Sequence, residues 1–163
     1  MRASHSVLRE GAVAGLLGAG TVALWFLVRD TLAGLPFRTA SVLGQVLLFL
    51  NPSPDLERVS AGAAAAYGVF HLAAFLLVGW LLALLARWAT QEPVARFALV
   101  VAFVLFVLCF YVVLRTVGGA VQDLFPAWAV LVPNLLAAFV MGAYLWRRYP
   151  ELRDILRAEP LGS

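Results

Sequence analysis

Charged residues divide this chain into long apolar stretches. Uncharged runs cover Gly11–Val28, Val59–Ala86, Phe97–Leu114 and Leu124–Trp146, of 18, 28, 18 and 23 residues. A helix rises about 1.5 Å per residue, so about 20 apolar residues cross the hydrocarbon of a bilayer. Each run is long enough to do so, or nearly so. The pattern therefore predicts a single transmembrane domain over 1–163: all-α, polytopic, with four transmembrane helices near 11–33, 59–87, 96–116 and 126–148. A fifth patch, "VLGQVLLFL" (Val42–Leu50), follows Pro36 and precedes "NPSP". It is too short to cross, and predicts a short extracytoplasmic amphipathic helix near 39–50, interfacial or re-entrant.

The boundaries carry their own signals. Ser53 with Pro54, Asp55 and Glu57 has the form of a helix start, which would begin the second long helix before the membrane. Gly118-Gly119 ends the third and Pro150 the fourth. In the tail, 150–163, Leu152, Ile155 and Leu156 share one side, as on a membrane-surface helix. The first run exceeds the usual hydrophobic core of a signal peptide and lacks a small-x-small site after it, so it is expected to be retained.

Composition agrees. Hydrophobic residues make up 63% of the chain and charged ones 13%, against about 45–50% and about 25% in soluble domains. A fold this small leaves much of its surface outside, so the excess must face lipid. The net charge of +3 is dispersed, which argues against a nucleic-acid partner. Cys109 is the single cysteine, so an internal disulfide or a thiolate metal site is not expected. Eight arginines (Arg2, Arg9, Arg87, Arg96, Arg147, Arg148, Arg153, Arg157) fall on one side of the four spans, and four (Arg29, Arg38, Arg58, Arg115) on the other. The positive-inside rule then places both termini in the cytoplasm of a bacterial inner membrane.

Three polar side chains come out at similar depth. Counted from the inner boundary, His71 and Tyr111 lie at about 22 Å and Asn134 at about 18 Å. His71 shares a helical face with Gly68 and Gly79, and Asn134 shares one with Ala138 and Gly142. Small residues mark helix contacts in lipid, so both polar groups are expected to point inward. Gly11, Gly15 and Ala19 form a further small-residue stripe, against another helix or a second copy. Pro133 removes a helical bond, which predicts a kink and an unpaired carbonyl at Ala129 for His71 or Asn134 to satisfy. His71 admits three readings: a structural hydrogen bond, a binding or proton-handling site, or ligation of haem or chlorophyll. Bis-histidine ligation would need a second copy, because His5 lies outside the membrane. Neither a three-ligand zinc set nor a hydrolase, thiol or phosphate-loop motif appears in the chain, so no enzymatic activity is expected.

"PNLLAAFVMG" (Pro133–Gly142) shares Asn134, Phe139 and Gly142 with a helix of small bacterial fluoride channels. Ala137-Ala138 replaces that family's Gly-Ser, and the broken helix that accompanies it has no counterpart here. "REGAVAGLLGAGTVALWFLVRD", "LPFRTASVLGQVL" and "MGAYLWRRYP" resemble four-helix integral membrane proteins of GC-rich bacteria, a likeness that implies architecture and no chemistry. The expected function is a structural or accessory subunit, in a homo-oligomer or with other membrane subunits. The alternative is a small transporter, channel, or binder of a lipophilic ligand or cofactor at the layer around His71.

Overall fold

A computed structural model describes residues 6–91 and 126–150, together with Val101, Val104, Leu105, Leu108 and Val112. Four helices are defined: α1 (Val7–Leu32), α2 (Arg38–Leu47), α3 (Ala61–Ala89) and α4 (Ala127–Arg148). Of these, α1, α3 and α4 are long and apolar enough to cross a membrane. The five described residues between α3 and α4 are helical and exposed. Most of the expected third span (96–116), Tyr111, and all of the tail 150–163 except Pro150 lie outside the described residues.

Local chemistry sets each helix. Ser6 caps α1 by accepting a bond from the Arg9 amide at 3.5 Å. Within α1, the hydroxyls of Thr21 and Thr31 donate to the carbonyls of Leu17 and Leu27, both at 2.7 Å. Each is thereby satisfied without water, as an apolar surrounding requires. The helix ends where Gly34 turns left-handed at φ 81°, a conformation glycine adopts without penalty. Helix α2 opens after Phe37, itself left-handed at φ 65° and offering no side-chain cap.

Helix α3 begins at Ala61, not in the fifties. Ser60 is the N-cap and accepts from the Ala63 amide at 3.4 Å. Asp55 serves a turn instead: one carboxylate oxygen takes the amides of Glu57 and Arg58 at 2.9 and 3.0 Å. Such local capping competes with a helix start. The loop is then tied down from α2. Gln45 Oε1 accepts from the Asp55 amide at 2.9 Å, and Ser41 Oγ from the Ser60 amide at 2.9 Å. The two α2 side chains are buried, and bonds of this kind contribute about 1 kcal/mol each.

Helix α1 is the hub, with α3 and α4 packed on it and only marginal contact between those two. Its stripe of small residues makes the close seam. Gly11 lies against Trp80, Gly15 against the backbone of Phe75 and Leu76, and Gly79 of α3 against Gly11 and Gly15. Gly18 meets Met141 of α4 as well as Phe75, and Ala19 is buried in the same cluster. Helix α2 packs on α3, where Gly44 abuts the carbonyl of Ala63. Val42, Leu43 and Val46 then form a second small core with Val130 of α4.

Helix α4 buries Ala129, Val130, Pro133, Ala137, Met141 and Leu145. Asn134 and Ala138 are half-buried beside that face, and Gly142 is exposed. Among the described residues, a Cβ added at Gly68 or Gly142 would meet nothing within 4 Å, so neither glycine is a contact between the described helices. On α4 it is Met141, and not a small residue, that lies against Gly18 of α1.

Candidate functional site: a cavity beside His71

Tyr67, His71 and Phe75 recur every fourth residue along α3 and so stand one above another on one side of it. Their rings form a ladder. The His71 centroid is 5.7 Å from that of Tyr67 at an interplanar angle of 28°, and 4.7 Å from that of Phe75 at 52°. Across the helix boundary, His71 Nε2 lies 3.3 Å from the carbonyl oxygen of Ala19 on α1. A carbonyl only accepts, so Nε2 carries the proton and donates. In the neutral ring, Nδ1 then keeps a lone pair and is an acceptor.

The partner of His71 is thus Ala19 and not Asn134. The amide of Asn134 donates to the carbonyl of Val130 one turn back, at 2.7 Å, and stays within α4. A shared layer of mutually bonded polar groups is not what the described residues form.

Beside His71 is a cavity of about 370 Å³. Its walls come from the C-terminal half of α1 (Val22 to Asp30), the cap and start of α2 (Phe37, Thr39, Ala40) and the first turns of α3 (Ala64, Tyr67, Gly68, His71). The lining is predominantly apolar, with polar groups at Asp30, Thr39, Tyr67 and His71. A volume of this size lies at the lower end of the range for small-molecule sites, about 300–1,000 Å³.

Asp30 closes the end of the cavity away from His71. Its two carboxylate oxygens accept from the Thr39 amide at 2.6 Å and from the Thr39 hydroxyl at 2.7 Å. Because Phe37 cannot cap α2 with its side chain, the acid comes from α1 and meets the positive end of the α2 dipole. Only 5% of Asp30 is exposed, so its charge stands on these bonds. Both carboxylate oxygens are thus engaged in holding α1 to α2.

A second buried acid sits at the other end of α1. Glu10 accepts from the Tyr144 hydroxyl and pairs with Arg148, whose Nε is 3.3 Å from Glu10 Oε2. Trp80 Nε1 donates to the Leu8 carbonyl at 3.0 Å close by. These contacts fasten α1 to α4 and α3 at the terminal end of the bundle.

Asp30 and Glu10 escape a reading based on depth, because each stands within two residues of the end of an uncharged run, and Thr39 enters only as the donor to Asp30. The signal was positional: an acid at the very edge of an apolar helix has to find donors from the next element. Compared with known proteins, the chain matches no family model, no curated protein and no solved structure. What the fold defines is an all-helical protein with three described helices able to cross a membrane.

Proposed function

We propose that this chain is a non-enzymatic, multi-pass protein of a bacterial cytoplasmic membrane that binds a lipophilic molecule in the cavity beside His71. The cavity carries this reading: it is apolar, walled by three elements, and has a histidine nitrogen without a protein partner among the described residues. Supporting the placement are the arginine imbalance, which puts both termini inside, and the uncharged run at 97–114, which supplies the fourth span. In that orientation α2 lies at the outer surface and the cavity opens within the outer half of the bilayer. The accessory-subunit role stands as the second reading. It is favoured by the aliphatic outer faces of α3 (Val69, Leu77, Leu84) and α4 (Leu131, Leu135, Phe139), all exposed, which a partner helix would cover as well as lipid does.

Gly68 provides the test. It lines the cavity and has open space where a side chain would grow, so Gly68→Leu fills the site without displacing backbone. Equilibrium dialysis of β-naphthol against the purified protein in detergent, with empty micelles as control, should show binding that Gly68→Leu abolishes at unchanged thermal stability. Equal binding to both proteins would move the ligand elsewhere. No binding, with a stoichiometric protein partner retained through purification, would favour the accessory role. Orientation is checked separately: in a Cys109→Ser background, cysteine at Ser53 should react with an impermeant reagent in intact cells, and cysteine at Ser163 should not.

A further inference from the structure

The Ala19 carbonyl does more than hold His71 in place, because it leaves Nδ1 as the acceptor of a ring that lines the cavity. We infer that the cavity takes a lipophilic molecule bearing a hydroxyl, which donates its hydrogen bond to His71 Nδ1. This rests on the ligand-binding reading above and narrows it to a chemical class.

Four observations lead there. The Nε2–H is spent on Ala19, so a ligand that can only accept finds no donor on this ring. The imidazole has no carboxylate bonded to it among the described residues: Asp30 has both oxygens on Thr39, and Glu10 is engaged by Tyr144 and Arg148. Charging the ring in an apolar wall without a counter-ion would be costly, which leaves the neutral acceptor form. Stacking on Tyr67 and a tilted contact with Phe75 hold the ring plane, so the lone pair has a set direction. Lastly, the cavity of about 370 Å³ has room for one ring or one chain segment beside the hydroxyl, and is small for a two-chain lipid.

Matched probes decide the matter. β-Naphthol carries the donor; its methyl ether has nearly the same shape and none. By dialysis against the full chain in detergent, corrected for empty micelles, the naphthol should bind about 3- to 10-fold more tightly than the ether, the range expected for one net hydrogen bond. His71→Phe keeps an aromatic ring between Tyr67 and Phe75 but has no nitrogen, and should bring the two affinities together. If the variant does not fold, the comparison in the unaltered protein still decides. Equal affinities in the unaltered protein, with both probes lost in Gly68→Leu, would overturn the hydroxyl preference and leave the cavity as a lipophile site. Absence of both probes from the unaltered protein would overturn the preference and the ligand-binding reading together.

Discussion

Replacing Gly15 by leucine should pull α1 and α3 apart. A Cβ at this position would lie 2.5 Å from the Phe75 carbonyl oxygen and 2.8 Å from the Leu76 Cα. Carbon atoms normally approach to about 3.5–4.0 Å, so the first added atom already demands a shift of roughly 1 Å. The atoms it meets belong to backbone, which cannot swing aside as a side-chain end would, and three further carbons follow. Overpacking costs about 1–3 kcal/mol where neighbours can adjust, and this site belongs at the top of that range. By the scaling for chains of this size, roughly 2–4 °C per kcal/mol, the melting temperature in detergent should fall by roughly 6–12 °C. The same helix supplies the control. A Cβ at Gly20 meets nothing within 4 Å, and leucine is the better helix former by close to 1 kcal/mol. Gly20→Leu should melt at or above the original temperature. Because the seam joins helices of one chain, the oligomeric size on a column should not respond to Gly15→Leu. Equal melting of the two variants would refute the packing argument, and a change of size confined to Gly15→Leu would show that the stripe faces a second copy.

Two further perturbations probe the polar ties. Arg148→Met leaves the Glu10 carboxylate, 4% exposed, with the Tyr144 hydroxyl alone and should cost about 1–3 kcal/mol; adding Glu10→Gln should recover part of that, and strictly additive melting shifts would deny the coupling. The Glu57 and Arg58 amides hold the Asp55 carboxyl below its usual value of 3.8. A depressed carboxyl stabilises the fold fully above that value and less as pH falls through the native one, so acid should loosen the 51–60 loop. Asp55→Asn should lessen that acid dependence in a melting series, and an unchanged series would remove Asp55 from the account.

The long helices were legible because a run of apolar residues has few alternatives in lipid: α4 at Ala127–Arg148 and α3 at Ala61–Ala89 each lie over an uncharged run. Gly11 and Gly15 were readable as a contact for the same reason, that only small residues permit close approach. Their partner was not, since the face of α3 that meets them also carries Trp80, a residue apparently suited to lipid, whose indole instead donates to Leu8. The start of α3 was misplaced because Ser53-Pro54-Asp55 has the composition of a cap and also of an Asx turn, and only the reach of Gln45 and Ser41 from α2 selects the turn. For His71, depth did not give the partner. Asn134 satisfies itself on its own helix, and no side-chain type announces the Ala19 carbonyl as an acceptor. The cavity depends on where three elements leave space, which a one-dimensional pattern does not encode.

The separation between Glu10 and its partners sets a clock on assembly. Tyr144 follows Glu10 by 134 positions, and synthesis at about 5–20 residues per second puts roughly 7–27 seconds between them. During that interval α1 can already meet α3, because Trp80 follows Leu8 by only 72 positions, while α4 does not yet exist. The glutamate must spend those seconds in contact with headgroup water, held at the membrane edge and kept from sliding inward. Docking of α4 is then the step that closes the site: its tyrosine and arginine arrive together and find the register of α1 already fixed by glycines packed on α3.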